Sequence, residues 1–338
     1  MLTKSRNGRR LLTLTLALAL LGTACSDDKG KGAITVYSGR SEKLVGPVIK
    51  QFEAASGIDV KVRYGDTAEL AATLSEEGKQ SPADVFWAQD AGALGAIAKE
   101  HLFAKLDDAT IDLVDPKFAS TKGEWVGITA RARVAVYNPD LVEADQLPPS
   151  VDGFTEPEWK GKIGWAPTNG SFQAFVTAMR VVKGYGHARS WLEGMLANKP
   201  KSYPNNDALT LAVSRGEVAV GLVNHYYLLE MRAEDPGLKG ALHFFKGGDV
   251  GSLVNAAGAG VLRSSDNPDA AEAFVKFMLS KQAQRYFADK TWEYPLIEGV
   301  AAHESLPKLD EIESPEVDLS RLADLRGTLD LLKETKVL

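Results

Sequence analysis

Cysteine is nearly absent from this 338-residue chain: Cys25 is the only one. No internal disulfide and no thiolate metal cluster can form, so a packed core must hold the fold. Histidine is scarce too. None of His101, His187, His225, His243 and His303 stands at metal-ligand spacing from another. An excess of positive charge is also lacking. The formal net charge is −6. Residues 1–24 hold Lys4, Arg6, Arg9 and Arg10 and no acid, so the remainder carries 35 Lys and Arg against 45 Asp and Glu, a net −10. That balance excludes a general nucleic-acid binder. The sequence has no GxGxxG, P-loop, HExxH or GxSxG pattern, and its sole cysteine lies in the leader, away from any site. Nothing in it marks an enzyme.

The N-terminus carries the clearest local signal. Residues 1–10 are basic, 11–21 are an apolar run of Leu, Thr and Ala, and Gly22-Thr23-Ala24-Cys25 follows. This is the order of a secretory signal peptide over 1–24. The run is shorter than the ~20 residues that span a bilayer as a helix. Cys25 after Thr-Ala resembles a bacterial lipobox, whose cysteine is acylated, although Gly22 stands where that pattern prefers Leu. The expectation is a lipid anchor at Cys25 and a polar linker over 25–32. The protein is then held by that anchor alone on the outer face of a bacterial cell membrane, or in the periplasm.

Strand and helix signals then alternate. Residues 33–37 are β-prone, and 41–56 carry Leu44, Val45, Val48, Ile49 and Phe52 on one helical face. Residues 58–63 alternate as a strand, 66–77 read as a helix and 83–88 as a third strand. That order predicts an α/β fold with a parallel sheet. Ligands in such folds bind beyond the carboxyl ends of strands, here 38–41 and 88–90. Further on, 125–129 and 131–137 are β-rich, and Asn169-Gly170-Ser171 opens a helix over 172–182. A short helix over 207–215 precedes an apolar strand over 218–223. One long helix is expected over 268–287 and a last one over 319–332.

Tyr226 and Tyr227 follow that apolar strand at the start of a helix. Phenolate oxygen is a hard donor, and a trivalent cation displaces its proton despite an ordinary pKa near ~10. Adjacent tyrosines are also common packing or stacking platforms. Asn169, Gly170 and Ser171 place free N–H groups at a helix N-terminus, which attracts anions, and Asn206 and Asn224 flank other helix starts. Each alone reads as a cap. His225 is expected to pack away from the tyrosines.

The chain resembles the ferric-ion-binding proteins of bacterial iron ABC importers from residue 34 to 338. The stretches that carry this are Ile34-Thr-Val-Tyr37, Ser81-Pro-Ala-Asp-Val-Phe86, Arg131-Ala-Arg-Val134, Ile163-Gly-Trp-Ala-Pro-Thr168, Asn224-His-Tyr-Tyr227 and Glu293-Tyr-Pro-Leu296. The resemblance implies a two-lobed periplasmic-binding-protein-like fold of type II, with the ligand cleft between lobes and two crossing hinge strands. Lobe one would be 33–131 with about 257–307, and lobe two 132–256 with about 308–338. It implies that Tyr226 and Tyr227 ligate Fe(III), and that Asn169, Gly170, Ser171, Asn206, Asn224 and Arg131 hold a synergistic anion, phosphate or carbonate. The implied partners are an ABC permease and its ATPase, served by a monomer.

The chain departs from the family where some members place a histidine and a glutamate, here Ser41 and Gln89, and it lacks a third tyrosine near Gly170. Anions or water filling those positions, Asp90 swinging in, and an iron chelate as cargo remain as readings, with exogenous anions favoured. The rivals are a same-fold binder of a small organic anion and an enzyme on this scaffold.

Overall fold

The alternation at the start of the chain builds a parallel sheet. In the computed structural model, which describes residues 32–338, β1 (Ala33–Ser38) pairs in parallel with β2 (Asp59–Tyr64) and β3 (Val85–Ala88). The connections are α1 (Glu42–Ser56) and α2 (Thr67–Glu77). The signal peptide, Cys25 and all of the linker but Gly32 lie outside the described residues. Helix α1 buries Val45, Val48, Ile49 and Phe52, the spacing of one helical face. It ends at Gly57, whose φ of 71° suits glycine.

After α3 (Ala91–Lys99) and the short α4 (Asp108–Ile111), the chain enters β4 (Val126–Tyr137), twelve residues buried throughout. The next run is β5 (Ile163–Trp165), α5 (Gly170–Lys183), α6 (Tyr185–Ala197), β6 (Lys201–Ser202) and α7 (Asn206–Ser214). It continues with β7 (Val220–Asn224), α8 (Tyr226–Glu234) and β8 (Ala241–His243). The chain returns through β9 (Val254–Val261), α9 (Pro268–Met278), α10 (Lys281–Lys290) and β10 (Tyr294–Pro295), and ends in α11 (Leu325–Glu334).

The strand order is β2-β1-β3-β9-β4-β7-β5-β6. Antiparallel β4 and β9 join two halves. The first part of β4, up to Ala132, pairs with β9, and the second part, from Arg133, pairs with β7 and β8. Glycines let the crossing strands approach: a Cβ on Gly258 would stand 2.5 Å from the Val126 carbonyl oxygen. Separate cores flank the crossing. One gathers Val36, Phe52, Trp87, Phe274 and Phe287. Another gathers Phe154, Trp165, Phe172, Phe175 and Trp191. This is the two-lobed arrangement.

Several local expectations need correction. Residues 126–137 form one strand, because Ala130 keeps its ladder by pairing with Ala256 and Tyr294. The long helix over 268–287 is two, since Ser280 turns out of helical geometry and caps the second through the Ala283 N–H. The tail over 319–332 is a 3-10 turn, Leu319–Ala323, then α11, because Asp324 caps the latter. Within the tail, Ile312, Leu319 and Leu322 pack in the first core, and Leu331 and Leu332 in the second.

Gln284, fully buried on α10, fastens three segments: its amide donates to the Ile128 and Met278 carbonyls and its carbonyl accepts from Leu296 N–H. Gln284→Leu fits the space but strands these groups, at a cost of about 3 kcal/mol. Urea denaturation should show that loss; an unchanged midpoint would mean the groups find other partners.

Candidate functional site

The Tyr226 and Tyr227 rings lie 4.4 Å apart at an interplanar angle of 32° and are almost fully buried. They can share one direction because β7 ends at Asn224 and the helix starts at Tyr226, which breaks strand alternation. The Tyr227 hydroxyl is hydrogen-bonded to Tyr226 and has Asn206 beside it. Burial, with Tyr226 adding, pushes the Tyr227 phenol well above its ordinary pKa.

Three buried arginines surround this pair. Arg131 and Arg133 sit two apart on β4, hence on one face. Arg133 donates to Ser171 Oγ at 3.1 Å and to the Leu222 carbonyl at 2.7 Å. Burial pulls its pKa down to about 9, against the pull of Tyr227 and Tyr226. Arg131, 2% exposed, has no hydrogen-bond partner on either Nη. Burial and the neighbouring Arg40 pull its pKa down, with Tyr226, Glu293 and Asp90 opposing. Arg40 forms a buried ion pair with Glu293 at 2.8 Å. Thr129 and Thr291 also donate to Glu293. Burial works to lower Arg40's pKa, but Glu293 and the tyrosines outweigh it and hold it above the ordinary value.

The asparagine loop is joined to the same cluster. Asn169 caps α5 through Ser171 N–H at 2.9 Å. Its Oδ1 also accepts from Ser171 Oγ at 2.6 Å and Asn206 Nδ2 at 3.2 Å. Asn206 is fully buried and does not precede its helix as a cap; Asn205 does, accepting from Ala208 N–H. Asn206 instead turns inward to Ser171 and Asn169. The Nδ2 of buried Asn224 has no partner. Gly170 leaves open space around its Cα.

On the first-lobe side, Gln89 and Asp90 line a cleft of about 520 Å³ together with Asn169 and Gly170. Burial raises the Asp90 carboxyl's pKa, and it accepts from Ala93 N–H as a helix cap. Ser41 is exposed at the start of α1 and lies outside that lining. A larger cavity of about 850 Å³, between Pro116–Phe118 and the 309–319 segment, holds none of the site residues. His225 is buried away from solvent. Its Nδ1 accepts from Ala132 N–H and its Nε2 donates to the Trp292 carbonyl, and burial pulls its pKa down to about 4. It pins the crossing of β4. Among the described residues no three His, Cys, Asp or Glu side chains gather as a metal site.

The sequence reading missed Arg40, Arg133 and the partner of Glu293. Arg133 had a signal, since Arg-Ala-Arg inside an apolar strand puts two cations on one face. Glu230, one turn beyond Tyr226, was missed as well. Burial first, with Asp207 and Glu293, raises it to about 7 against Lys43 and Arg40. At the rim, Lys43 of α1 pairs with Glu234 of α8 at 2.5 Å, so the lobes touch there.

The profile of the family described as bacterial extracellular solute-binding protein matches residues 48–313. The chain belongs to that family. A relative from Serratia marcescens, the "Fe(3+)-binding periplasmic protein", is 34% identical, over 97% of this chain and 96% of its own. The crystal structure of iron-bound HitA from Pseudomonas aeruginosa superposes with a TM-score of 0.86 at 37% identity, over 90% of this chain and 99% of that one. A Trichodesmium protein (IdiA, FutA) solved with iron and citrate gives a TM-score of 0.78 at 26% identity, over 90% and 99%.

The buried Arg40–Glu293 pair predicts a contrast. Glu293→Gln keeps shape but leaves a buried guanidinium uncompensated, costing about 3 kcal/mol. Lys43→Ala, which breaks the exposed pair, costs under about 1 kcal/mol. Equal losses in urea denaturation would contradict the burial argument.

Proposed function

We propose that this chain captures Fe(III) between its lobes, with Tyr226 and Tyr227 as phenolate ligands and an exogenous anion beside them, and hands it to an ABC importer. One observation carries the reading: two buried phenols, one against the other, in the electrostatic field of three buried guanidiniums, one with both Nη atoms unpartnered. A buried donor without an acceptor is costly. Arg131 is therefore matched to a ligand that arrives from outside. A trivalent ion and three guanidiniums, set against two phenolates and one paired carboxylate, leave positive charge in excess. Phosphate or carbonate offsets it and fills the coordination positions that Ser41 and Gln89 leave without charge. Arg131 and Asn224 offer free donors; Asn169, Ser171 and Asn206 form the wall behind them.

A chelate as cargo is the second reading, since the cleft exceeds a bare ion in size. Its lining carries Asp66, Glu69 and Asp90 and, among the described residues, no lysine or arginine, which repels a polycarboxylate there. A small anion on the arginines fits the charges better. The lobes proposed are those divided at 131–132, closing by rotation at β4 and β9. An importer that favours the open form would release the cargo.

Titration of the iron-free protein with Fe(III), with and without phosphate, carbonate or citrate, tests this. A visible phenolate-to-iron band should grow to one equivalent. Tyr226→Phe and Tyr227→Phe should remove the band and weaken binding by more than the about 10–100-fold lost with a merely supporting group. Arg131→Met should keep the band and lose its dependence on phosphate. Tight binding by both Phe variants would sink the assignment.

We further propose that Cys25 carries the lipid anchor. Cys25→Ala should move the protein from the membrane fraction to the soluble one; retention in the membrane would refute the anchor.

A further inference from the structure

The C-terminal tail touches both lobes and the cleft. Its turn Leu319–Ala323 packs along α3. The fit is close: a Cβ on Gly92 would stand 2.5 Å from the Leu322 carbonyl oxygen, and one on Gly95 would stand 3.2 Å from that of Ser320. Leu319 and Leu322 belong to the first core. The turn also touches α5, and beyond Asp324 the attachments are to the second lobe. Arg180 of α5 donates to the Asp324 carbonyl at 3.1 Å and pairs with its carboxylate at 2.8 Å. The buried hydroxyls of Thr177 and Thr328 lie 2.6 Å apart, and Leu331 and Leu332 enter the second core. A side chain on Gly327 would collide with Arg180 at 2.4 Å. Between the two anchorages Leu322, Leu325 and Leu329 line the cleft opposite Gln89 and Asn169.

We propose that the tail is a third, jointed connection between the lobes, bending at Asp324, and that Arg180 and Asp324 are positioning residues that set how readily the cleft opens. The backbone at Asp324, φ −86° and ψ 59°, already leaves helical geometry, and rotation about its N–Cα bond keeps its carbonyl and capping carboxylate with α11. The turn before it moves with α3, and α11 moves with α5. Because α5 begins at the Asn169 loop, the joint and the anion wall ride on one rigid helix. Opening changes the cleft that Leu322, Leu325 and Leu329 line with Gln89 and Asn169.

The inference rests on the reading of a binder that closes, and the test separates the two. In a Cys25→Ser chain, pairs of cysteines are placed by Lys99→Cys (α3), Arg321→Cys (turn), Val182→Cys (α5) and Lys333→Cys (α11), all at exposed positions. Spin-label distances are measured without iron and with Fe(III) plus phosphate. The 99–321 and 182–333 distances should stay fixed, while 99–182 and 182–321 shorten together on loading. If 99–182 shortens but 182–321 does not, or 182–333 changes, the joint is wrong and closure stands. If 99–182 is constant, closure itself fails and the joint with it. Asp324→Asn keeps the cap to Gly327 N–H and loses the ion pair. It should speed Fe(III) release about two- to fivefold, the range open to a partly exposed pair, with the visible band and melting midpoint unchanged. Unaltered release would remove Arg180 and Asp324 from the opening step.

Discussion

Two guanidinium groups buried on one face of a strand that both lobes share are the constraint on which the molecule turns. Charge is expensive to bury, and the interior tolerates it only with compensation. Arg133 is held through both Nη atoms by Ser171 and a carbonyl, with only its Nε unpartnered, and Arg40 pairs with Glu293, so these two guanidiniums are tied to the protein. Arg131 between them is not satisfied by the protein itself. The unmet requirement sits where the two lobes meet. The strand that fixes the geometry of closure therefore also holds the charge that a ligand must answer.

The tyrosines belong to the same balance. Alone, a buried phenol resists ionisation, and a second phenol beside it adds to the resistance. A monovalent or weakly charged guest does not reverse that cost. A hard trivalent ion does, because its attraction to phenolate grows in the low-dielectric interior. On the proposed reading, selectivity follows from the combination: the guest must be charged enough to expel the phenol protons and must arrive with an anion for the guanidiniums.

Much of this was legible in the residues. The alternation of 33–88, the paired tyrosines at a strand-to-helix turn and the asparagine caps all rest on local rules, and local rules survive folding. What escaped was contact between distant segments. Nothing near Arg40 announces Glu293, and nothing near Ser171 announces Arg133, since the first pair joins the end of β1 to the start of β10 and the second joins β4 to α5. Asn205 and Asn206 show the limit at single-residue scale. Either can cap, and tertiary contact decided which one turned inward. The helices over 268–287 and 319–332 were drawn too long because apolar periodicity continues through Ser280 and Asp324, while the caps at those residues break the backbone.

The division of labour among connections explains why closure need not disturb the core. β4 and β9 cross with backbone close to backbone, and His225 clamps the crossing from the α8 side by accepting from Ala132 and reaching the Trp292 carbonyl. A crossing so tightly tied is a poor place to store a large motion, but a small rotation there is magnified at the rim, where Lys43 meets Glu234. That rim pair is exposed, so its own contribution is small and screened. The balance between open and closed forms must then be set by contacts that exist in one form and are buried there. On the proposed reading, the phenols and the unmatched guanidinium meet that requirement. Each gains only when cargo is present or the lobes are together, so a modest bias from a docking partner is enough to return the site to the open form.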